Sequence, residues 1–320
     1  MRAITQSGYG SPEILRLRED VEIPAVADDG VLVKVHAASV NAADWRAVRA
    51  KPFIIRLMNG MRRPRTPLLG TDLAGRVEAV GKYVTHLKPG DEVYGMRHGA
   101  FAEYVSGKTF VPKPNRISFE QAAAVPVAGL TAIQALRDHG GLQPGQRVLV
   151  NGAGGGVGTF VVQIAKALGA EVTAVSRTAN LDLLASIGAD HVVDYTLEDI
   201  TRGERSFDLI VDVGGTIKFS ASRRVLSPDG AFVLVGAGLG SGASFLAHLA
   251  SAWVRSHLLR QKISFFIAKP SQEDLLTLNE LIEAGKVTPL IDRVYPLTET
   301  AAALRHLEEK RAQGKVVITI

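Results

Sequence analysis

Residues 148–170 read VLVNGAGGGVGTFVVQIAKALGA: an apolar β-branched run, a cluster of glycines, then apolar residues at helical spacing. A strand running through such a cluster straight into a helix is the context in which a glycine motif carries meaning, because glycine permits a sharp turn and lets backbone approach a pyrophosphate at the helix N-terminus. Aligned on GxGxxG spacing, the three positions are Ala153, Gly155 and Gly158, with alanine in place of the first glycine. Gly152, Ala153, Gly154, Gly155, Gly156, Val157 and Gly158 are therefore candidate dinucleotide contacts. A glycine-rich turn without a ligand is the competing reading.

Downstream, EVTAVS, HVVDY, FDLIVDVGG and GAFVLVGAG are apolar runs separated by helical segments such as LDLLASIGA. Continuous apolar strands alternating with amphipathic helices predict a parallel sheet covered on both faces, a doubly wound α/β domain of the Rossmann type. The end of the second strand indicates the cofactor. A dinucleotide site for NAD places Asp or Glu there, about 20 residues after the central glycine, on the ribose 2′-hydroxyl. This chain has Ser176 and then Arg177. A carboxylate would repel a 2′-phosphate, whereas a hydroxyl and a guanidinium can hydrogen-bond it, so the pair favours NADPH. The alternative is that Arg177 points into solvent.

Upstream, ILRLRED, VLVKVHAASV, GRVEAVG and DEVYGM are short strands punctuated by turn signals, predicting mostly antiparallel β structure. Between them, residues 41–67 are irregular, with helical potential in ADWRAVRA and FIIRLMNGM, and stand as a candidate pocket wall. SFEQAAAVPVAGLTAIQALRDHG opens with Ser118 and Gln121 at capping-box spacing and predicts a helix interrupted near Pro126. SFLAHLASAWVRSHLLRQKISFFIAKP predicts a helix packed on the sheet or at a subunit interface, with a membrane-surface helix as the competing reading, then a strand; helix, strand, helix and strand close the chain.

The chain has 320 residues, a formal charge of +5 and no cysteine. The last fact excludes disulfides, thiolate nucleophiles, iron–sulfur clusters and every cysteine-containing zinc site. The basic residues are scattered apart from Arg62, Arg63 and Arg65, and no aromatic-interleaved basic strand accompanies them, so nucleic acid is not expected as a partner. No run reaches the roughly 18 apolar residues of a membrane span, and the N-terminal residues match neither a secretory nor a transit signal. The expectation is a cytoplasmic protein.

The motifs VNAADWR (40–46), LLGTDLAGRVEAVG (68–81), KPGDEVYG (88–95), AAAVPVAGLTAIQAL (122–136), NGAGGGVG (151–158), IGADHVVDY (187–195) and GKVVITI (314–320) carry a resemblance over essentially the whole chain. The sequence resembles the medium-chain dehydrogenase/reductase superfamily, in its zinc-free quinone-oxidoreductase-like branch. That resemblance implies a GroES-like β-barrel domain of residues 1–121 plus 290–320, with a Rossmann NADP-binding domain of residues 122–289 inserted in it, the cofactor between them, and a homodimer. Zinc-dependent members carry Cys near position 41 and His after the glycine matching Gly70; here Asn41 and Thr71 stand in those places, and the four-cysteine lobe is missing. No metal ligand is therefore expected. His36, His86 and His98 are read as surface or core histidines.

What the resemblance implies is hydride transfer from NADPH to a small-molecule electron acceptor, a quinone or α,β-unsaturated carbonyl, without zinc. Asn41 would donate to the acceptor carbonyl, Asp44 would hold local structure through Arg46 or the backbone, and Thr131 would lie near the nicotinamide. Val235 and Gly236, with Ala237, would face the nicotinamide. Phe266 to Ala268 would cover its carboxamide, and Tyr195 would pack near the adenosine. Two alternatives share these motifs: an NADPH-binding protein with little turnover acting as a partner, and an enoyl reductase serving a carrier-bound substrate.

Overall fold

The computed structural model describes residues 1–203, 205–235, 260–309 and 312–320. The chain divides into two compact units. One comprises Met1–Val127, Pro270–Glu283 and Pro289–Ile320, the other Ala128–Lys269 and Ala284–Thr288.

The first unit contains β1 (Ala3–Thr5), β2 (Arg16–Arg18), β3 (Val31–Val40), β4 (Asp72–Val80), β5 (Glu92–Met96), β6 (Tyr104–Gly107) and β7 (Phe110–Pro112). In β3 the side chains of Lys34 and His36 are exposed while Val33, Val35 and Ala37 between and beside them are buried, a period-2 alternation over 33–37 that gives way to an all-buried end containing Ser39. The second unit contains β8 (Arg147–Asn151), β9 (Glu171–Ser176), β10 (His191–Asp194), β11 (Phe207–Asp212), β12 (Leu226–Val235) and β13 (Lys262–Phe266). The chain then returns to the first unit for β14 (Ile291–Pro296) and β15 (Lys315–Thr319).

In the first unit the strand order is β14-β15-β3-β4-β5-β7, with β6 also on β3. Every pair is antiparallel except β14 with β15, so the barrel sheet is mostly antiparallel, as expected. Its core includes Leu73, Tyr94, Phe101 and Phe110, all fully buried. Each such side chain contributes roughly 1.5–3 kcal/mol of apolar burial.

In the second unit the order is β10-β9-β8-β11-β12-β13, all parallel. Val148, Leu149 and Val150 of β8 are fully buried, which is why that strand reads as an unbroken apolar run. The order reverses between β8 and β11, the place where open α/β sheets bind ligands at the strands' carboxyl ends.

The capping box at Ser118 forms: Gln121 N donates to Ser118 Oγ, and Ser118 N to Gln121 Oε1, each at 3.2 Å. The helix it opens spans Phe119–Ala123, and a second spans Pro126–Gln134, so the expected interruption lies at Pro126.

The division between units differs from the expected 121/122 and 289/290 boundaries. The helix Gln272–Glu283, expected with the nucleotide domain, groups with the barrel because its polar residues are spent there. Tyr94 Oη donates to Leu275 O and Asn279 Oδ1, Asn279 Nδ2 to Pro112 O, and Gln272 Nε2 to the Lys108 and Phe110 carbonyls. Most of the apolar stretch beginning at Ser244, together with Gly236 and Ala237, lies outside the described residues. Among the described residues no helix is long and apolar enough to cross a membrane.

Candidate active site

The glycine loop leaves β8 at Asn151, whose Nδ2 donates to Asp212 Oδ1 at 2.7 Å and Thr216 Oγ1 at 2.9 Å, tying the ends of the two central strands together. Gly152 follows with φ +79°, a left-handed conformation that favours glycine. The turn glycine is thus Gly152, one residue before the position GxGxxG alignment assigns to Ala153, and the alanine there is not strained. The helix Gly156–Ala167 begins with Gly155 as N-cap, so the N–H groups of its first turn have no intrahelical acceptor. A Cβ on Gly158 would lie 2.3 Å from Gly152 O and 2.6 Å from Ala153 Cα. The helix is pressed against the loop as closely as backbone allows.

Ser176 ends β9, buried at 6% exposure, and its Oγ accepts from Asn180 Nδ2 at 2.8 Å. A Cβ on Gly154 would lie 2.1 Å from Asn180 Nδ2 and 2.8 Å from Ser176 Oγ, so loop, serine and asparagine form one cradle. Asn180 Oδ1 is buried there with no hydrogen-bond partner, which a ligand can supply. Sequence reading missed Asn180, although its position at the head of the next helix was a signal. Arg177 is half-buried beside them. Tyr195 is 60% exposed, and its backbone N donates to Ser176 O at 3.1 Å. These features fit a dinucleotide: a close-packed glycine loop, a helix N-terminus, and polar side chains without a carboxylate at the end of β9.

Thr131 is buried in the helix Pro126–Gln134. From the same helix Gln134 donates to Lys269 O and accepts from Lys269 N, each at 3.0 Å, a two-point latch that fixes the segment carrying Ala268. Phe266, at the end of β13, stacks on His139 with centroids 4.1 Å apart, so its ring is a packing element. Val235 is buried at the end of β12.

In the barrel unit the structure brings Asn41 and Asp44 together and adds three residues. Because β3 runs antiparallel to both β15 and β4, its C-terminal end meets their N-terminal ends, and Ser39 and Asn41 meet Lys315 and Asp72. Asn41 Nδ2 donates to Asp72 Oδ2 at 2.9 Å, Ser39 Oγ to the same oxygen at 3.0 Å, and Val127 N to Asp72 Oδ1 at 3.0 Å. Lys315 Nζ donates to Asn41 Oδ1 at 2.7 Å and lies 3.4 Å from Asp72 Oδ2. Asn41 N donates to Asp44 Oδ2 at 2.7 Å, so Asp44 caps the helix Ala42–Arg49 through the backbone. The sequence signal was partial: Asp72 and Lys315 are charges each followed directly by small or apolar residues, Leu73 to Gly75 and Val316 to Ile318.

Burial dominates the electrostatics of this cluster. It pushes the Asp72 carboxyl up and the Lys315 ammonium down from their ordinary values. It pushes Asp44 up to about 7, with the Asp72 charge adding to the effect. Between about pH 4 and pH 7 the folded chain therefore holds a proton on Asp44 that the unfolded chain has released, and stability falls as pH rises through that window. Asp44→Asn removes this slope while keeping an acceptor for Asn41 N. Relative to wild type the variant is expected to gain about 2–3 kcal/mol between about pH 5 and pH 8. Urea unfolding at both pH values checks this, and a pH-independent difference would contradict it.

A cleft of about 430 Å³ opens on this unit, lined by Thr71, Met96, Arg97, His98, Lys108 and Thr109 among others. His36 stacks on Phe119 at 4.4 Å, and His98 Nε2 is 2.9 Å from Thr66 Oγ1. Among the described residues no three His, Cys, Asp or Glu side chains are placed to hold a metal ion.

Residues 27–115 match the alcohol dehydrogenase GroES-like domain, and residues 187–318 the family described as zinc-binding dehydrogenase. The chain is 35% identical over 334 residues to 2-methylene-furan-3-one reductase of Solanum lycopersicum, covering 99% of this chain and 79% of that one. It is 32% identical to the NADPH-dependent alkenal/one oxidoreductase, chloroplastic, of Arabidopsis thaliana, again with 99% and 79% coverage. The structure of the quinone oxidoreductase from Coxiella burnetii superposes with a TM-score of 0.87 at 28% identity, covering 100% of this chain and 99% of that one.

Proposed function

Because the chain belongs to the medium-chain dehydrogenase/reductase superfamily, in its quinone-oxidoreductase-like branch, and is thereby an oxidoreductase using a nicotinamide cofactor, we propose that it reduces a quinone or α,β-unsaturated carbonyl with NADPH and without zinc. The observation that carries this reading is the barrel cluster. Asn41 and Thr71 stand where zinc-dependent relatives have Cys and His, and the neighbouring Asp72 carboxylate is answered by the Lys315 ammonium. An electron-poor acceptor needs less Lewis-acid help than an alcohol, so a hydrogen-bond donor suffices.

When bound, the nicotinamide supplies hydride. The loop Gly152–Gly158 and the following helix hold the pyrophosphate, Ser176 and Arg177 the 2′-phosphate, and Tyr195 the adenine face. Thr131, Val235 and the Gln134-latched segment Phe266–Ala268 orient the nicotinamide, and Gly236 takes part by its place in sequence. Asn41 donates to the acceptor carbonyl and Asp44 caps the helix behind it. Phe53, Ile54, Leu57, Met58 and Met61 are all exposed on one short segment, apolar surface that suits an apolar acceptor. The enzyme is taken to be a cytoplasmic homodimer, which sedimentation equilibrium and fractionation test.

The test is consumption of NADPH and of NADH, followed by nicotinamide absorbance, with quinones, enones and simple aldehydes, with and without a chelator. Turnover of quinones or enones with NADPH, indifferent to chelator, is expected. Ser176→Asp places a carboxylate where the 2′-phosphate would sit and is expected to lower kcat/KM for NADPH at least roughly tenfold while sparing NADH. Tight NADPH binding without turnover would instead favour a binding protein, and equal loss for both cofactors would sink the role given to Ser176.

A further inference from the structure

Lys315 contributes to the barrel cluster through chemistry the proposed reaction has not yet used. Its side chain is 4% exposed at the head of β15, and the Asp72 carboxylate it faces is fully buried. A buried ammonium is costly unless its hydrogens are matched, and here the shortest contact runs not to the carboxylate but to the amide oxygen of Asn41, at 2.7 Å against 3.4 Å.

An asparagine amide can be placed two ways round, and the two differ only in where the oxygen and the NH2 point. In this cluster one orientation is chemically excluded. Lys315 offers only hydrogens, so the atom facing it must be Oδ1. Asp72, held as acceptor by Ser39, Val127 N and Asn41, then takes one hydrogen of Nδ2 at 2.9 Å. Reversal would set NH2 against an ammonium and carbonyl oxygen against carboxylate, two repulsive contacts between buried groups. With Oδ1 and one N–H thus engaged, Asn41 keeps a single N–H for other use.

We propose that Lys315 is a positioning residue: with Asp72 it clamps the Asn41 amide in the one orientation that presents its remaining N–H to the carbonyl oxygen of the acceptor. The inference rests on the reading of this protein as a reductase of quinones or enones. It adds that recognition acts on a carbonyl oxygen through one oriented donor, and that Lys315, 274 residues away in sequence, sets that orientation.

Two measurements test it. In wild-type protein, the side-chain amide protons of Asn41, assigned by their loss in Asn41→Ala, are expected to be unlike: one protected from solvent exchange, the other exchanging and shifting when a quinone or enone is added. Lys315→Met leaves Asp72 with three donors and is expected to collapse that difference. It is also expected to lower kcat/KM for carbonyl acceptors by roughly tenfold to a hundredfold, with NADPH affinity unchanged. In an Asn41→Ala background the same change should cost nothing further, since a residue acting only through Asn41 has nothing left to act on.

Two equivalent, freely exchanging amide protons in the wild type, or additive losses in the double variant, would overturn the clamp. So would a Lys315→Met enzyme that keeps its kcat/KM within about twofold. If the wild type turns over no carbonyl acceptor, the proposed function fails. The amide-proton pattern still decides the clamp in that case, and also if Lys315→Met does not fold.

Discussion

Gly158→Val is expected to abolish measurable NADPH binding and to cost about 3 kcal/mol of stability, the upper range for overpacking a close-packed site. The first atom of the new side chain would lie 2.3 Å from Gly152 O, 2.6 Å from Ala153 Cα and 2.6 Å from Ala153 O. All three are backbone atoms of a loop pinned by Gly152 N and Ala153 N to Val175 O, each at 3.1 Å. No rotamer relieves that contact, so either the helix Gly156–Ala167 moves off the sheet or the loop opens, and both disperse the N–H groups proposed to hold the pyrophosphate.

Gly155→Ala supplies the contrast. Its Cβ would meet nothing nearer than Gly152 O at 3.6 Å, and the φ of −86° suits any residue. That variant should melt with wild type, yet place a methyl group where the pyrophosphate is proposed to approach, weakening NADPH at least roughly tenfold. Thermal melts and fluorescence titrations of both variants separate the two effects. A Gly155→Ala protein that binds NADPH as wild type does would move the pyrophosphate away from this loop.

The contrast also marks what sequence can convey. The strand–glycine–helix run was readable because much of its meaning is local, as at Gly158, which is crowded by Gly152 and Ala153, and β3 was readable as one continuous, largely apolar β-branched run. β4 starts at Asp72, earlier than GRVEAVG suggests, and its buried aspartate is tolerable because donors reach it from Ser39, Asn41, Val127 and Lys315. Those partners are distant in sequence, and no periodicity links them. The grouping of the helix Gln272–Glu283 with the barrel is likewise illegible in sequence, since it rests on bonds to Tyr94 and Pro112 that no local pattern announces. Ser176 was readable from its spacing after the central glycine, whereas the position of Asn180 at the head of the next helix marked it only as a cap, and its contact with Gly154 is visible only in the fold.

Asp72→Leu is expected to destabilise the protein by about 3–5 kcal/mol, the cost of removing one partner from a buried charge pair. The change strands the Lys315 ammonium and leaves Ser39 Oγ, Asn41 Nδ2 and Val127 N without their acceptor. Adding Lys315→Met removes the uncompensated charge, so the double variant should recover about 2 kcal/mol or more, although the three neutral donors remain unmet. Lys315 gives a second signature. With its ammonium disfavoured by burial and the Asp72 carboxylate gone, leaving only the smaller Asp44 attraction, the folded Asp72→Leu chain sheds the Lys315 proton at a pH where the unfolded chain still holds it. Stability of that variant therefore rises with pH up to about 10, the ordinary range of lysine, and its deficit against wild type narrows. Urea unfolding of the wild type, both single variants and the double, at neutral and alkaline pH, measures both effects. Additive losses with a pH-independent deficit would mean that Lys315 carries no charge in the folded protein and that Asp72 is held by its neutral donors alone.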